Sequence, residues 1–156
     1  MSEMESITIY CDGGCLGNPG PGGYGAVLLY KNHRKELSGG YRLTTNNRME
    51  LLGAIIALEA LKPRSKVSVH SDSQYVVNGI EKGWAATWRR KGWIKADKQK
   101  ALNTDLWERL LNLCALHEVR FVWVRGHNGD VENERCDVLA KNAASRKDLE
   151  SDPNYG

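Results

Sequence analysis

A chain of 156 residues, 41% hydrophobic and 26% charged, suits one globular domain that buries roughly two-thirds of its unfolded surface and leaves no room for a second. No run approaches the ~18 apolar residues of a membrane span, and Glu3 and Glu5 stand where a secretory leader would be basic and then apolar, so a cytoplasmic protein is expected. The net charge of +3 conceals an asymmetry: residues 81–100 hold seven Lys/Arg against two Asp/Glu, a local +5, and the remainder sums to −2. That excess reads either as a footprint for a polyanion or as a solvated helix face.

Residues 7–12 alternate, with Ile7, Ile9 and Cys11 on one side and Thr8, Tyr10 and Asp12 on the other, as a half-buried strand does. A glycine-rich turn follows. Residues 26–30 make a second strand and 35–43 a third, broken at Ser38-Gly39-Gly40, and the short links favour an antiparallel meander. The helix predicted over 47–62 carries Met49, Leu52, Ile56 and Ala60 at helical spacing, with apolar residues on its other faces too, and Pro63 stops it. Val67 and Val69 mark a short strand ending at Asp72, and 74–81 returns to a helical pattern before the basic, tryptophan-bearing segment. Leu106, Leu110, Leu113, Cys114 and His117 mark another helix, 119–124 a fifth strand, and 132–147 a last helix after Asp130. This order calls for an α/β fold: a mixed sheet whose later strands, reached by helical crossovers, are parallel. The domain spans 1–147, with 148–156 read as a frayed, flexible tail. Cys11, Cys15, Cys114 and Cys136 lack C-x-x-C spacing, so reduced thiols and no zinc are expected.

Each acid of interest has an innocent reading. Asp12 could open the turn through an Asx bond, Glu50 could be the partner of an N-capping Asn47, and Asp72 could itself cap the helix at 74. Asp137 is harder to dismiss, because Asp is a poor helix-interior residue. Together they change the balance, since ligands in open sheets bind near strand carboxyl ends, where Asp12 and Asp72 lie. Carboxylates about 4 Å apart repel by roughly 4 kcal/mol per pair at an effective dielectric near 20, so such a cluster needs protons or cations, and magnesium is the natural occupant. Gly20-Pro21-Gly22-Gly23-Tyr24-Gly25 fits G-x-G-x-x-G but precedes a strand instead of following one, which rules out a nucleotide-cofactor loop.

Five motifs carry a resemblance: Tyr10-Cys11-Asp12-Gly13-Gly14-Cys15 with Asn18-Pro19-Gly20, Thr44-Thr45-Asn46-Asn47-Arg48-Met49-Glu50-Leu51, Ser71-Asp72-Ser73-Gln74-Tyr75, Val124-Arg125-Gly126-His127 and Asn133-Glu134-Arg135-Cys136-Asp137. In this order, from about residue 6 to 146, they resemble bacterial ribonuclease HI, of the type 1 ribonuclease H family. The resemblance implies a five-stranded mixed sheet with helices on both faces and an endonuclease that cuts the RNA strand of RNA/DNA hybrids. It implies that Asp12, Glu50, Asp72 and Asp137 hold two magnesium ions, with manganese as a substitute, and that the products carry 5′-phosphate and 3′-hydroxyl ends. His127 matches the family histidine that assists proton movement or product release.

The family also uses the basic protrusion to grip the DNA strand, which assigns Trp84, Trp88, Arg89, Arg90, Lys91, Trp93 and Lys95 to substrate, although at least one tryptophan is expected only to pack the protrusion onto the body. Cys15, Asn18, Asn46, Asn47 and Gln74 are implied to read 2′-hydroxyls. Thr45 and Asn103 match a DNA-phosphate pocket, but Leu43 stands where many relatives carry arginine, so a weaker or differently placed phosphate contact is expected. No obligate protein partner is implied, and a monomer is expected. Two rivals are a binding-only module, which would usually lack one of the four acids, and a DNA-cutting superfamily member, which would not need Asn46, Asn47 and Gln74.

Overall fold

The computed structural model describes residues 5–126, 129–153 and 155. The alternation at the start of the chain builds β1 (Glu5–Cys15), which pairs antiparallel with β2 (Gly20–Tyr30), itself antiparallel to β3 (His33–Thr44). The chain then forms α1 (Asn46–Glu59), β4 (Ser65–Ser71), α2 (Gln74–Glu81), α3 (Trp84–Arg90), α4 (Thr104–Leu116), β5 (Glu118–Trp123) and α5 (Val131–Ala144). The sheet order is β3-β2-β1-β4-β5, with β4 parallel to both β1 and β5.

Helix α1 is the centre of the molecule. Every residue from Arg48 to Ile55 is buried, because the helix lies between the sheet and α4 and has no solvent face over that stretch. Met49, Leu51, Leu52, Ile55 and Leu58 join Ile7, Ile9 and Cys11 of β1 and the fully buried Trp107 of α4 in one core. Burial of each such side chain stabilises the fold by about 1.5–3 kcal/mol. Helix α5 packs on the opposite face, over β1, β2 and β3.

Three sequence expectations are corrected. The glycines after Asp12 do not form a turn: Gly13, Gly14, Gly22, Gly23 and Gly25 are paired strand residues. Gly13, Gly23 and Gly25 lack side chains because helices pass over them. A Cβ on Gly13 would meet the Met49 carbonyl carbon at 2.3 Å, and one on Gly23 would meet the Ala140 carbonyl oxygen at 2.2 Å. Strand β3 is likewise unbroken at Ser38-Gly39-Gly40, where Gly39 pairs with Tyr24 and lies against its ring.

The tail is not frayed across its middle. Glu150 bridges Tyr41 and its carbonyl accepts from the Arg42 amide at 2.8 Å, while Asp152 is buried, 5% exposed. Arg48 binds Asp152 through Nε at 2.7 Å and Nη2 at 3.0 Å, binds Asp105 through Nη1 at 2.9 Å and Nη2 at 2.7 Å, and Thr44 Oγ1 donates to Asp152 at 2.7 Å. Composition reads as frayed here because the anchoring acid gives no apolar signal.

Candidate active site

Parallel pairing sets Cys11 beside Ser71, so the next residues, Asp12 and Asp72, emerge together where β1 and β4 part. Glu50 enters from the second turn of α1. Its Oε1 accepts from the Gly13 amide at 2.6 Å, and the same amide donates to Asp12 Oδ1 at 2.9 Å. One oxygen from each of Asp12, Glu50 and Asp72 lies within 4.8 Å of the others.

Burial sets the electrostatics. It raises Asp12 to about 6, aided by the negative charges of Asp72 and Asp137 and opposed by hydrogen bonds from Glu50 and Gly13. Burial also drives Glu50 well above the usual carboxylate range, reinforced by Asp12 and Asp72. Glu50 Oε2 is buried with no hydrogen-bond partner among the described residues. An all-oxygen set with an orphaned acceptor and stored repulsion suits a hard divalent cation.

Asp137 projects from α5 into the same cleft, of about 390 Å³, but stands outside the tight trio and pairs with Lys141 Nζ at 2.9 Å. The innocent readings of the other acids fail on geometry. Thr45 caps α1, accepting from the Arg48 amide, so Glu50 serves no cap with Asn47. Ser73, not Asp72, caps α2 by accepting from the Val76 amide. Asp12 bonds the next amide within an extended strand and opens no turn.

Cys15 lines the cleft, and burial pushes its thiol up to about 11, so it stays protonated and is a poor nucleophile. Its amide donates to Asn46 Oδ1 at 2.8 Å, and the Asn46 amide donates to Asn18 Oδ1 at 3.1 Å, which ties the β1–β2 loop to the start of α1. Asn46 also walls a second groove, of about 530 Å³, together with Asn18, Thr45, Asn47 and Asn103. The two openings therefore adjoin. Gln74 is the exposed first residue of α2, two positions after Asp72.

The Leu43 side chain is 51% exposed, while Arg42 donates to Ser151 Oγ in the tail. In the protrusion, Trp84 is 42% exposed with Lys82 Nζ 5.4 Å from its ring centre. Trp88 packs edge-on against Trp107 with ring centres 6.0 Å apart, and Trp93 is half-buried against the core. Packing thus occupies Trp88 and Trp93 at least in part. Arg89 bonds Asn112 Oδ1 at 3.2 Å, Arg90 and Lys91 are exposed, and Lys95 lies 4.0 Å from Asp97. His127 lies outside the described residues.

Trp123 and Lys141 stand outside the sequence motifs, and Gly126 stands inside one that assigns it no role. Gly126 lies so close to Asp72 that a Cβ would sit 2.7 Å from Oδ2. Trp123 Nε1 donates to the Asp72 carbonyl at 3.2 Å. Neither contact has a local sequence signal, because both cross from the end of β5 to the end of β4. Lys141 does carry one, standing four residues after Asp137 on one helix face.

Comparison with known proteins agrees with this geometry. The family model described as RNase H matches residues 4–145. A protein from Syntrophus aciditrophicus named Ribonuclease H is 66% identical over 152 residues, covering 97% of this chain and 88% of its own, and one of the same name from Desulforamulus reducens is 61% identical over 151 residues, covering 97% and 95%. Among solved structures, LC9-RNase H1, described as a type 1 RNase H with the type 2 active-site motif, superposes with a TM-score of 0.82 at 32% identity over 92% of this chain and 74% of that one. LC11-RNase H1, solved in complex with RNA/DNA hybrid, gives 0.67 at 26% identity over 88% and 96%. The five-stranded mixed sheet with helices on both faces is the ribonuclease H fold, and the chain belongs to the ribonuclease H family.

Proposed function

We propose that this protein is an endonuclease that hydrolyses the RNA strand of RNA/DNA hybrids with two magnesium ions, leaving 5′-phosphate and 3′-hydroxyl ends. The observation that carries the reading is the trio of Asp12, Glu50 and Asp72, with oxygens within 4.8 Å of one another and one Glu50 oxygen buried and unpartnered among the described residues, in a cleft adjoining an asparagine-lined groove. Asp12, Glu50, Asp72 and Asp137 would hold the cations. When bound, such cations activate water and stabilise the leaving oxygen of an in-line displacement at phosphorus.

The chain's own residues do the rest. The Gly13 amide fixes the facing oxygens of Asp12 and Glu50, so the acidic site is organised before any ligand arrives. Asn46, with Oδ1 committed to the Cys15 amide, keeps its Nδ2 hydrogens as donors, and with Cys15, Asn18, Asn47 and Gln74 it is assigned to 2′-hydroxyl recognition. Thr45 and Asn103 are assigned to backbone phosphate. Trp84 and the cations Arg89, Arg90, Lys91 and Lys95 are assigned to the DNA strand, with Trp88 and Trp93 supporting them from beneath. His127, which follows Gly126 in the chain, is assigned to proton movement or product release. The protein is proposed to act as a cytoplasmic monomer; no helix among the described residues is long and apolar enough to cross a membrane.

The test uses end-labelled RNA/DNA hybrid, single-stranded RNA, duplex RNA and duplex DNA, with magnesium or chelator, alongside Asp12→Asn. Cleavage confined to the hybrid's RNA, and abolished by chelator or by the variant, is expected. A hybrid that is bound but uncut would replace the reading with a binding module, and cut DNA would replace it with a DNA nuclease.

A further inference from the structure

We infer that Tyr155, in the C-terminal tail, is a substrate-binding residue that contacts the sugar-phosphate backbone of the bound hybrid in the asparagine-lined groove. The inference rests on the hybrid-cleaving reading and adds to it a residue from a segment whose sequence looks like a frayed end.

The groove walled by Asn18, Thr45, Asn46, Asn47 and Asn103 has Tyr155 as a further wall, and the residue is half-buried there. Its placement is anchored by the tail's contacts. The Tyr155 amide donates to the Asp152 carbonyl at 3.3 Å, Pro153 has a fixed φ directly after Asp152, and Asp152 is locked by Arg48 and Thr44. An aromatic side chain held this near to a buried ion pair presents its surface to a ligand at reduced entropic cost.

Charge explains why the groove needs such a residue. Arg48 is the guanidinium among the groove's walls, yet Nε, Nη1 and Nη2 are all committed to Asp105 and Asp152. Asn103 is also engaged, with Oδ1 accepting from Arg48 at 3.3 Å and Nδ2 donating to Tyr75 at 3.2 Å. Leu43 brings no cation to the neighbouring strand end. The groove therefore offers mainly neutral donors; Tyr155 brings a phenol to its lining, and the exposed apolar Leu102, another of its walls, gives a sugar face a surface to pack against.

The test measures steady-state cleavage of a hybrid by the wild type, Tyr155→Ala and Tyr155→Phe, with thermal midpoints recorded. Tyr155→Ala is expected to raise KM about fivefold, the loss of one neutral hydrogen bond with some packing, while kcat and the midpoint hold because Asp152 is untouched. Recovery of KM in Tyr155→Phe assigns the effect to the ring, and no recovery assigns it to the hydroxyl; both support the inference. An unchanged KM in Tyr155→Ala overturns it while leaving the hybrid-cleaving reading intact, whereas a wild type that leaves the hybrid uncut overturns that reading itself.

Discussion

Replacing Asp152 with alanine should cost the fold about 4 kcal/mol. Arg48 is 3% and Asp152 5% exposed, and two nitrogen-oxygen contacts of 2.7 and 3.0 Å join them. Breaking a buried pair by removing one partner costs about 3–5 kcal/mol, because the survivor is left uncompensated. Arg48 keeps its bidentate contact with Asp105, which draws the figure to the low end. Thr44 Oγ1, fully buried, is deprived of its acceptor and adds about 1 kcal/mol. At about 2–4 °C per kcal/mol for a chain of this size, the midpoint by circular dichroism should fall by about 10 °C. Asp152→Asn, which keeps an acceptor for Thr44 but removes the charge, should fall roughly half as far. A drop below about 3 °C in Asp152→Ala would refute the docked tail and, with it, the anchoring of Tyr155.

Three further outcomes follow from the site. In chelator, stability should decline as pH rises, because the folded protein holds a proton on Asp12 up to about 6 while the unfolded chain releases it near 3.8; denaturant titrations across that window test the sign, and magnesium or Asp12→Asn should flatten the decline. Gly126→Ala forces a methyl to within 2.7 Å of Asp72 Oδ2 and should lower kcat by at least about tenfold with little change in melting, so a kcat within about twofold of wild type would show that the loop yields. Neutralising Arg89, Arg90 and Lys91 should weaken hybrid binding and flatten its logarithmic salt dependence by about 0.9 for each phosphate left unneutralised, and an unchanged slope would move the footprint off the protrusion.

What the sequence revealed depended on whether a signal was local. The alternation at Ile7, Ile9 and Cys11 and the helical spacing along α1 are short-range patterns, and the elements they imply are present. The convergence of Asp12 with Asp72 followed from strand direction alone. Glycines misled because their local meaning is a turn, while here Gly13, Gly23 and Gly25 give clearance to helices distant in sequence. Asn47 and Asp72 are both good capping types, but Thr45 and Ser73 occupy the positions whose backbone is extended and whose side chains reach the first-turn amides. The role of Arg48 was hidden for a different reason. A buried arginine is legible only once its acids are known, and Asp105 and Asp152 lie 57 and 104 residues away.

The docked tail also bears on how the protein behaves in company. Strand β3 forms one border of the sheet, and such borders present unpaired amides and carbonyls to which a neighbouring molecule can add a strand. At its start β3 is defended by the exposed charges of Arg34 and Lys35. Near its end that defence falls to the tail, where Glu150 bridges Tyr41 and satisfies the Arg42 amide. A chain shortened before Glu150 would leave that stretch of border uncovered, and its first symptom at high concentration would be self-association through β3, arising at a distance from the carboxylates and independent of them.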